Sequence, residues 1–273
     1  MGGREEYQRA SQLSTSFHST SKWVLGKLAQ NGWLHGITIV QDDDDDDSNE
    51  EEEEEGEGKK NELRKRQRRK RKRRPTRLLE VGAINTELLD KAAEQRNKLD
   101  GRGEVSKYKL QVRAIDIHSM EERIEEADFL KIPFISPNAH ERYDVIVCSM
   151  VLNCVTTPED RGTMLGRLFH HLRPGGLCFL TIPKFCLTKS AFLTPELFRD
   201  MLGYGGVGFR LEETKESPRV SFFVCQRPED MSRTEALKPV WKQQKIRRKG
   251  KKFPNQFSVV LNDDEVFGRV KLI

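Results

Sequence analysis

Leu78-Leu79-Glu80-Val81-Gly82 is the first of four segments of one kind; the others are AIDIHS (Ala114 to Ser119), YDVIVCSMVLNCV (Tyr143 to Val155) and LRPGGLCFLTIP (Leu172 to Pro183). Each holds a short apolar run, and the first two close on a glycine or an acid. Unbroken apolar runs of this length read as buried strands of a parallel sheet. A glycine or an acid at the carboxyl end of such a strand is where an open α/β sheet holds a nucleotide-type cofactor. No single run is specific; the ordered series is.

Between the runs the apolar period changes to that of helices. Asn85 or Thr86 can cap a helix reaching about Gln95, and Pro158–Leu172 gathers Met164, Leu165, Leu168 and Phe169 on one face. Thr194 can cap a helix over Pro195–Leu202, with Pro195 at its first position. Strands are expected at Leu110–Ile115, Asp144–Cys148 and Leu177–Ile182, with an antiparallel finish near Phe209–Thr214 and Val220–Gln226. The prediction is α/β: a Rossmann-like class I methyltransferase fold, with a mostly parallel seven-stranded sheet and an N-terminal helical appendage. In that appendage Trp23, Leu28 and Trp33 are the apolar anchors, and Ser21 could cap the helix.

Composition sets the domain plan. Asp42–Asp47 and Glu50–Glu55 are pure acid, and Lys59–Arg74 is almost pure base; such blocks bury nothing. Residues 42–74 hold 12 basic and 14 acidic side chains, so of the chain's net +5 the remainder carries +7, a weak bias toward polyanions. The expected plan is a helical segment over 1–40, a disordered acidic and basic linker over 41–75, the catalytic fold over 76–228, and a basic C-terminal tail over 229–273. The tail is read as a solvated face or unstructured, with Phe257–Leu261 left unassigned. The five cysteines form no CxxC pair and no zinc-spaced cluster, so they are read as buried reduced thiols and no metal is expected. No run approaches the ~20 apolar residues of a membrane span, and the N-terminus lacks a secretory pattern. A soluble intracellular protein is expected.

The cofactor chemistry asks for a tight turn, an acid for the ribose hydroxyls and a polar group for adenine. Gly82 ends the first strand, where a Cβ would crowd the cofactor. Asp116 ends the second and can accept both ribose hydroxyls. Asp128 is expected to face the adenine amino group with Phe129 beside the ring, and Ser149, Met150 and Leu152 to wall the methyl group. Two departures stand out: Gly82-Ala83-Ile84-Asn85 has a single glycine, and Gly82 to Asp116 exceeds the ~20 residues usual in dinucleotide folds. A polar insertion at 96–106 accounts for the second.

LLEVGAINT, RAIDIHS, IEEADFL, VLNCVTTPEDRG, IPKFCLTKSAFLT and GFRLEETKESPRVSFFVCQRP resemble the fungal 25S ribosomal RNA adenine-N1 methyltransferase family. YQRAS and SKWVLGKLA are similar to its leader, so the likeness covers roughly 4–40 and 76–228. It implies S-adenosyl-L-methionine as cofactor, methyl transfer to N1 of one adenine in large-subunit rRNA, and a place in the nucleus, in the nucleolus. The family's cofactor residues carry over to Gly82 and Asp116. An animal relative resembles a cofactor-sensing regulator, so a cofactor sensor or assembly scaffold without catalysis is the competing reading.

Adenine N1 carries no proton at neutral pH, so its attack on a methyl group needs alignment and dryness more than a strong base. The base must be unpaired or flipped out and then gripped. Asn153, Lys184 and Phe185 are the candidates for that grip. The Asn/Asp-Pro-Pro-aromatic motif of amino-methylases is missing; SMVLN stands in its place. Cys154 and Cys186 lack the PC or TC context of a cytosine-C5 nucleophile, and His170 and His171 are read as packing or surface residues. The basic run Lys59–Arg74 is read as targeting rather than RNA binding. The partner is rRNA or a pre-ribosomal particle, with no membrane, and a monomer is favoured.

Overall fold

The computed structural model describes residues 20–40, 71–97, 110–133, 141–229 and 237–264. A seven-stranded sheet dominates it, built from β3 (Arg77–Val81), β4 (Gln111–Asp116), β5 (Glu125–Glu126), β6 (Tyr143–Ser149), β7 (Leu172–Pro183), β8 (Arg210–Glu216) and β9 (Val220–Gln226). Their order is β5-β4-β3-β6-β7-β9-β8. All neighbours are parallel except β9, which runs against both β7 and β8. The expected fold is therefore present, and this strand order establishes it. After β3 the chain builds outward to β4 and β5, then returns to the other side of β3 as β6. The switch point, where such sheets bind ligands, thus lies at the carboxyl ends of β3 and β6.

Two cores cover the sheet. On one face lie α3 (Pro158–His171) and α5 (Pro195–Leu202), with Leu165, Leu168, Phe169 and Phe198 buried against Ile146, Leu180 and Phe223. Thr157 and Thr194 cap these helices by accepting from Asp160 N–H and Leu197 N–H, each cap followed by proline. On the other face α1 (Thr20–Gln30) and α2 (Glu87–Asn97) bury Val24, Leu28, Leu88 and Ala92 over Leu78, Val145 and Phe179. The Trp23 ring meets Phe179 and Phe222 edge-on, both at 5.2 Å. Ser21 lies inside α1 and is buried, so it is not the cap.

Two parts of the expected domain plan are corrected. The basic run is not wholly linker: β2 (Arg71–Arg74) pairs antiparallel with β1 (Ile37–Val40). The Arg74 guanidinium donates to both carboxylate oxygens of buried Asp144, at 2.6 and 2.5 Å, and the Arg77 N–H adds a third bond at 2.8 Å. A carboxylate sealed at the start of β6 requires such cations, which fixes the last basic residue of the run. Nor is the C-terminal stretch a loose tail. Trp241, Phe257, Val259 and Leu261 are buried in the first core. The apolar segment Phe257–Leu261 is thus packing material. The acidic tract 42–57, Lys59–Lys70 and the 98–106 part of the polar insertion lie outside the described residues.

Candidate functional site at the carboxyl edge of the sheet

Gly82 leaves β3 with φ of +71°, and its N–H and that of Ala83 both donate to Ile115 O, at 2.8 and 3.0 Å. A Cβ here would sit 2.2 Å from Val151 Cγ2. Only glycine adopts this turn without strain, and the close approach joins the β3 turn to the loop after β6. Asp116, at the end of β4, accepts from His118 N–H through Oδ1 and keeps a partly exposed carboxylate at the same edge. Gly82 and Asp116 are therefore brought together as expected.

Glu80 was not among the expected site residues, though an acid inside LLEVG was the signal for it. Its Oε2 is sealed from solvent and has no hydrogen-bond partner. Burial, then the neighbouring charge of Glu87, pushes its carboxyl up from the usual carboxylate range to about 8. The structure thus holds a largely buried acid, two residues before Gly82, one of whose oxygens meets no partner among the described residues.

Asp128 starts a short 3-10 turn (Phe129–Lys131): its Oδ1 accepts from Leu130 N–H at 3.0 Å, and Lys131 lies 3.5 Å from its other oxygen. It remains half-buried on the loop after β5. Phe129 departs from expectation. Its ring is buried in the core and tilts against His171 at 5.4 Å, so it backs the turn and offers no face to a ligand. His171 is itself buried, and desolvation followed by nearby arginines holds it down to about 4, a neutral packing residue.

At the end of β6 the Ser149 hydroxyl is shared between Thr181 Oγ1 at 2.9 Å and Thr20 Oγ1 at 3.0 Å. Ser149 therefore ties the start of α1 to β6 and β7 and is committed to that chain. The next residue, Met150, has φ of +59° and is held there by its N–H, which reaches both Thr181 O and Thr181 Oγ1. A non-glycine residue in the left-handed region marks strain held by its surroundings, and such strain clusters at functional sites. Beyond it Asn153 Oδ1 is sealed and unpartnered, while its Nδ2 contacts Cys154 Sγ.

The helix α4 (Lys184–Thr188) continues directly from β7. Phe185 is 54% exposed there. Lys184 is not free to grip a base, because its ammonium pairs with Glu216 at 2.6 Å. Burial pushes the Cys148 thiol up to about 12 and Cys186 to about 11, which disfavours thiolate chemistry. Among the described residues no group of three or more His, Cys, Asp or Glu could hold a metal, and no helix is long and apolar enough to cross a membrane. A cavity of about 400 Å³ touching Lys27, Leu177 and Gln226 lies toward the amino end of β7, away from this edge.

The model of the family described as 25S rRNA (adenine(2142)-N(1))-methyltransferase, Bmt2, matches residues 51–259. The chain belongs to this family. The match takes in β2 through the C-terminal segment, including every site residue named above except Thr20. A Saccharomyces cerevisiae relative, named 25S rRNA (adenine(2142)-N(1))-methyltransferase, is 31% identical over 112 residues, 41% of this chain and 32% of the yeast protein. The matched part thus spans about a third of the yeast protein. Similar solved structures include the N-methyltransferase NodS from Bradyrhizobium japonicum WM9 in complex with S-adenosyl-l-homocysteine. It is 14% identical, with TM-score 0.38, over 57% of this chain and 80% of NodS. Another is an S-adenosylmethionine-dependent methyltransferase from Mesorhizobium loti, 13% identical, with TM-score 0.39, over 56% of this chain and 92% of that one.

Proposed function

We propose that this protein transfers a methyl group from S-adenosyl-L-methionine to N1 of an adenine in large-subunit rRNA, as a monomer, during ribosome biogenesis in the nucleolus. The observation that carries the reading is the Glu80 carboxyl beside the Gly82 turn, whose sealed Oε2 meets no partner among the described residues, in a chain of this family. The residues present fit the cofactor. Glu80 can receive an amino-acid ammonium, the Gly82 turn leaves room for its backbone, and Asp116 can accept ribose hydroxyls. Asp128, whose outer oxygen is held only loosely by Lys131, could accept from an adenine amino group. The bound cofactor would supply an electrophilic sulfonium methyl.

The chain's own task is then to present adenine N1 in line and dry. Phe185 offers an exposed ring on which an unpaired base can stack. Asn153 lies on the same loop after Met150, and a side-chain turn that uncovers its unpartnered Oδ1 would let it accept from the 6-amino group adjacent to N1. No proton need be removed before attack, so an ion-paired Lys184 and a neutral His171 are compatible with the chemistry.

Purified protein, labelled cofactor and large-subunit rRNA from cells lacking the gene should yield 1-methyladenosine. Tight cofactor binding without transfer would overturn the enzyme reading in favour of a sensor or scaffold. Gly82→Arg and Asp116→Ala should each abolish cofactor binding in calorimetry while the circular dichroism spectrum is kept; unchanged affinity in both would place the site elsewhere. Targeting by the basic run is tested by imaging a 41–70 deletion, which spares the Arg74–Asp144 pair; an unchanged nucleolar signal would contradict it.

A further inference from the structure

The segment Leu237–Leu261 is held at the edge where methyl transfer is proposed. Val260 N–H donates to Pro158 O, and the Arg161 guanidinium donates to Ser258 O while lying 4.6 Å over the Phe257 ring. This fixes the segment to the start of α3, just past the loop that carries Met150 and Asn153. Farther back, Ser190 and Asn255 form a bridge, Ala191 N–H donates to Asn255 O, and Asn255 N–H donates to Lys189 O. This fixes it to the chain leaving α4, which carries Phe185. Ala191 O also accepts from the N–H groups of Arg247 and Arg248.

Arg248 is the anchor of the basic stretch. Its guanidinium donates to the carbonyls of Leu187, Thr188, Ser190 and Leu193, and it covers the Phe253 ring at 4.6 Å. With that cation used internally, the neighbouring ones point outward. Lys245, Arg247, Lys249, Lys251 and Lys252 are all exposed, and Gly250 turns the chain with φ of +103°. The outcome is a rigidly mounted basic ridge beside an exposed aromatic.

We infer that this ridge binds the phosphates of the RNA strand flanking the target base, with Phe185 marking where the base leaves the strand. The inference rests on the proposed rRNA substrate and gives it a docking surface. Five exposed cations beside a stacking ring are the means by which single strands are bound without reading sequence. The ridge is tied to Leu187–Leu193, the chain leaving α4, so the surface positions the substrate and takes no part in the chemistry.

The test is a five-site variant, K245Q, R247Q, K249Q, K251Q and K252Q, with Arg248 kept. Binding of fluorescein-labelled, protein-free large-subunit rRNA fragments is measured across a salt series, alongside calorimetric cofactor affinity. The variant should keep its melting temperature and cofactor affinity. Its RNA affinity should fall at least about tenfold, and the salt slope should flatten by up to about 3.5, near 0.7 for each of the five lost phosphate contacts. Equal RNA binding by variant and parent would overturn the ridge alone. No RNA binding by the parent, with cofactor still bound, would overturn the ridge and the rRNA reading together. A peptide of residues 42–57 is added in parallel: if the variant loses affinity only for that acidic peptide, the ridge serves the chain's own acid tract and the inference fails.

Discussion

Glu80→Gln should separate cofactor binding from stability in opposite directions. In the free protein the Glu80 carboxyl is protonated at neutral pH, because its folded value lies near 8 against an ordinary value of 4.5. A bound ammonium favours the ionised form, so binding must release that proton. Affinity should therefore rise with pH, by nearly tenfold per unit well below 8 and by roughly 25-fold between pH 6 and 7.5. The sign for folding is the reverse. The folded state keeps a proton that the unfolded chain loses above 4.5, so this group lowers stability as pH climbs from 4.5 to 8. The full effect is at most about 5 kcal/mol, and it is complete above 8. A glutamine keeps the shape and never ionises. Glu80→Gln should thus be more stable than the parent at pH 8, by up to that amount, yet bind S-adenosylhomocysteine weakly and with no pH slope. Titration calorimetry from pH 6 to 7.5 and urea melts at pH 5 and 8 measure both arms. A parent protein with flat affinity over that range, or a variant with the same slope, would refute the reasoning.

Thr181→Val removes the hydroxyl that bonds Ser149 and holds Met150 N–H. Stability should drop by about 1–2 kcal/mol in urea melts and kcat should fall more than cofactor affinity, with Thr181→Ser restoring both; equal kinetics in all three would show that the Met150 conformation does not matter. Gly162→Ala tests the mounting of the C-terminal segment, since a Cβ there would lie 1.8 Å from Val260 O, backbone that cannot swing aside. A loss of about 3 kcal/mol, seen as a fall of roughly 6–12 °C in melting temperature, is expected; an unchanged melt would mean that the segment is not seated on α3.

The sheet was legible because its central strands are buried on both faces, which leaves continuous apolar runs, and because Thr157 and Thr194 stand just before prolines. Gly82 and Asp116 were legible for the same reason, as each ends such a run. Glu80 was hidden inside one, where an acid at strand spacing looks like a solvated face until its surroundings are known. The C-terminal segment was missed because Trp241 stands alone among cations and Phe257–Leu261 is one short apolar run behind a basic stretch, too brief to mark it as core. Lys184 and Phe129 were misjudged for a related reason: sequence gives a side chain's place on the chain, but Glu216 and His171, which occupy them, come from distant elements.

The docking of α1 bears on how the chain is made. Trp23, Val24 and Leu28 precede the whole sheet in the chain, yet the Trp23 ring closes on Phe179 and Phe222, which lie in strands made after most of the sheet. Until β7 and β9 exist, the Trp23 ring lacks both of its aromatic partners, and that closure joins residues far apart in the chain. Nascent chains in this state are open to holdase chaperones and to misassembly with one another. The helix that ties Thr20 to Ser149 is thus translated before its partners, and the site's hydroxyl chain can be completed only once Thr181 of β7 has been made.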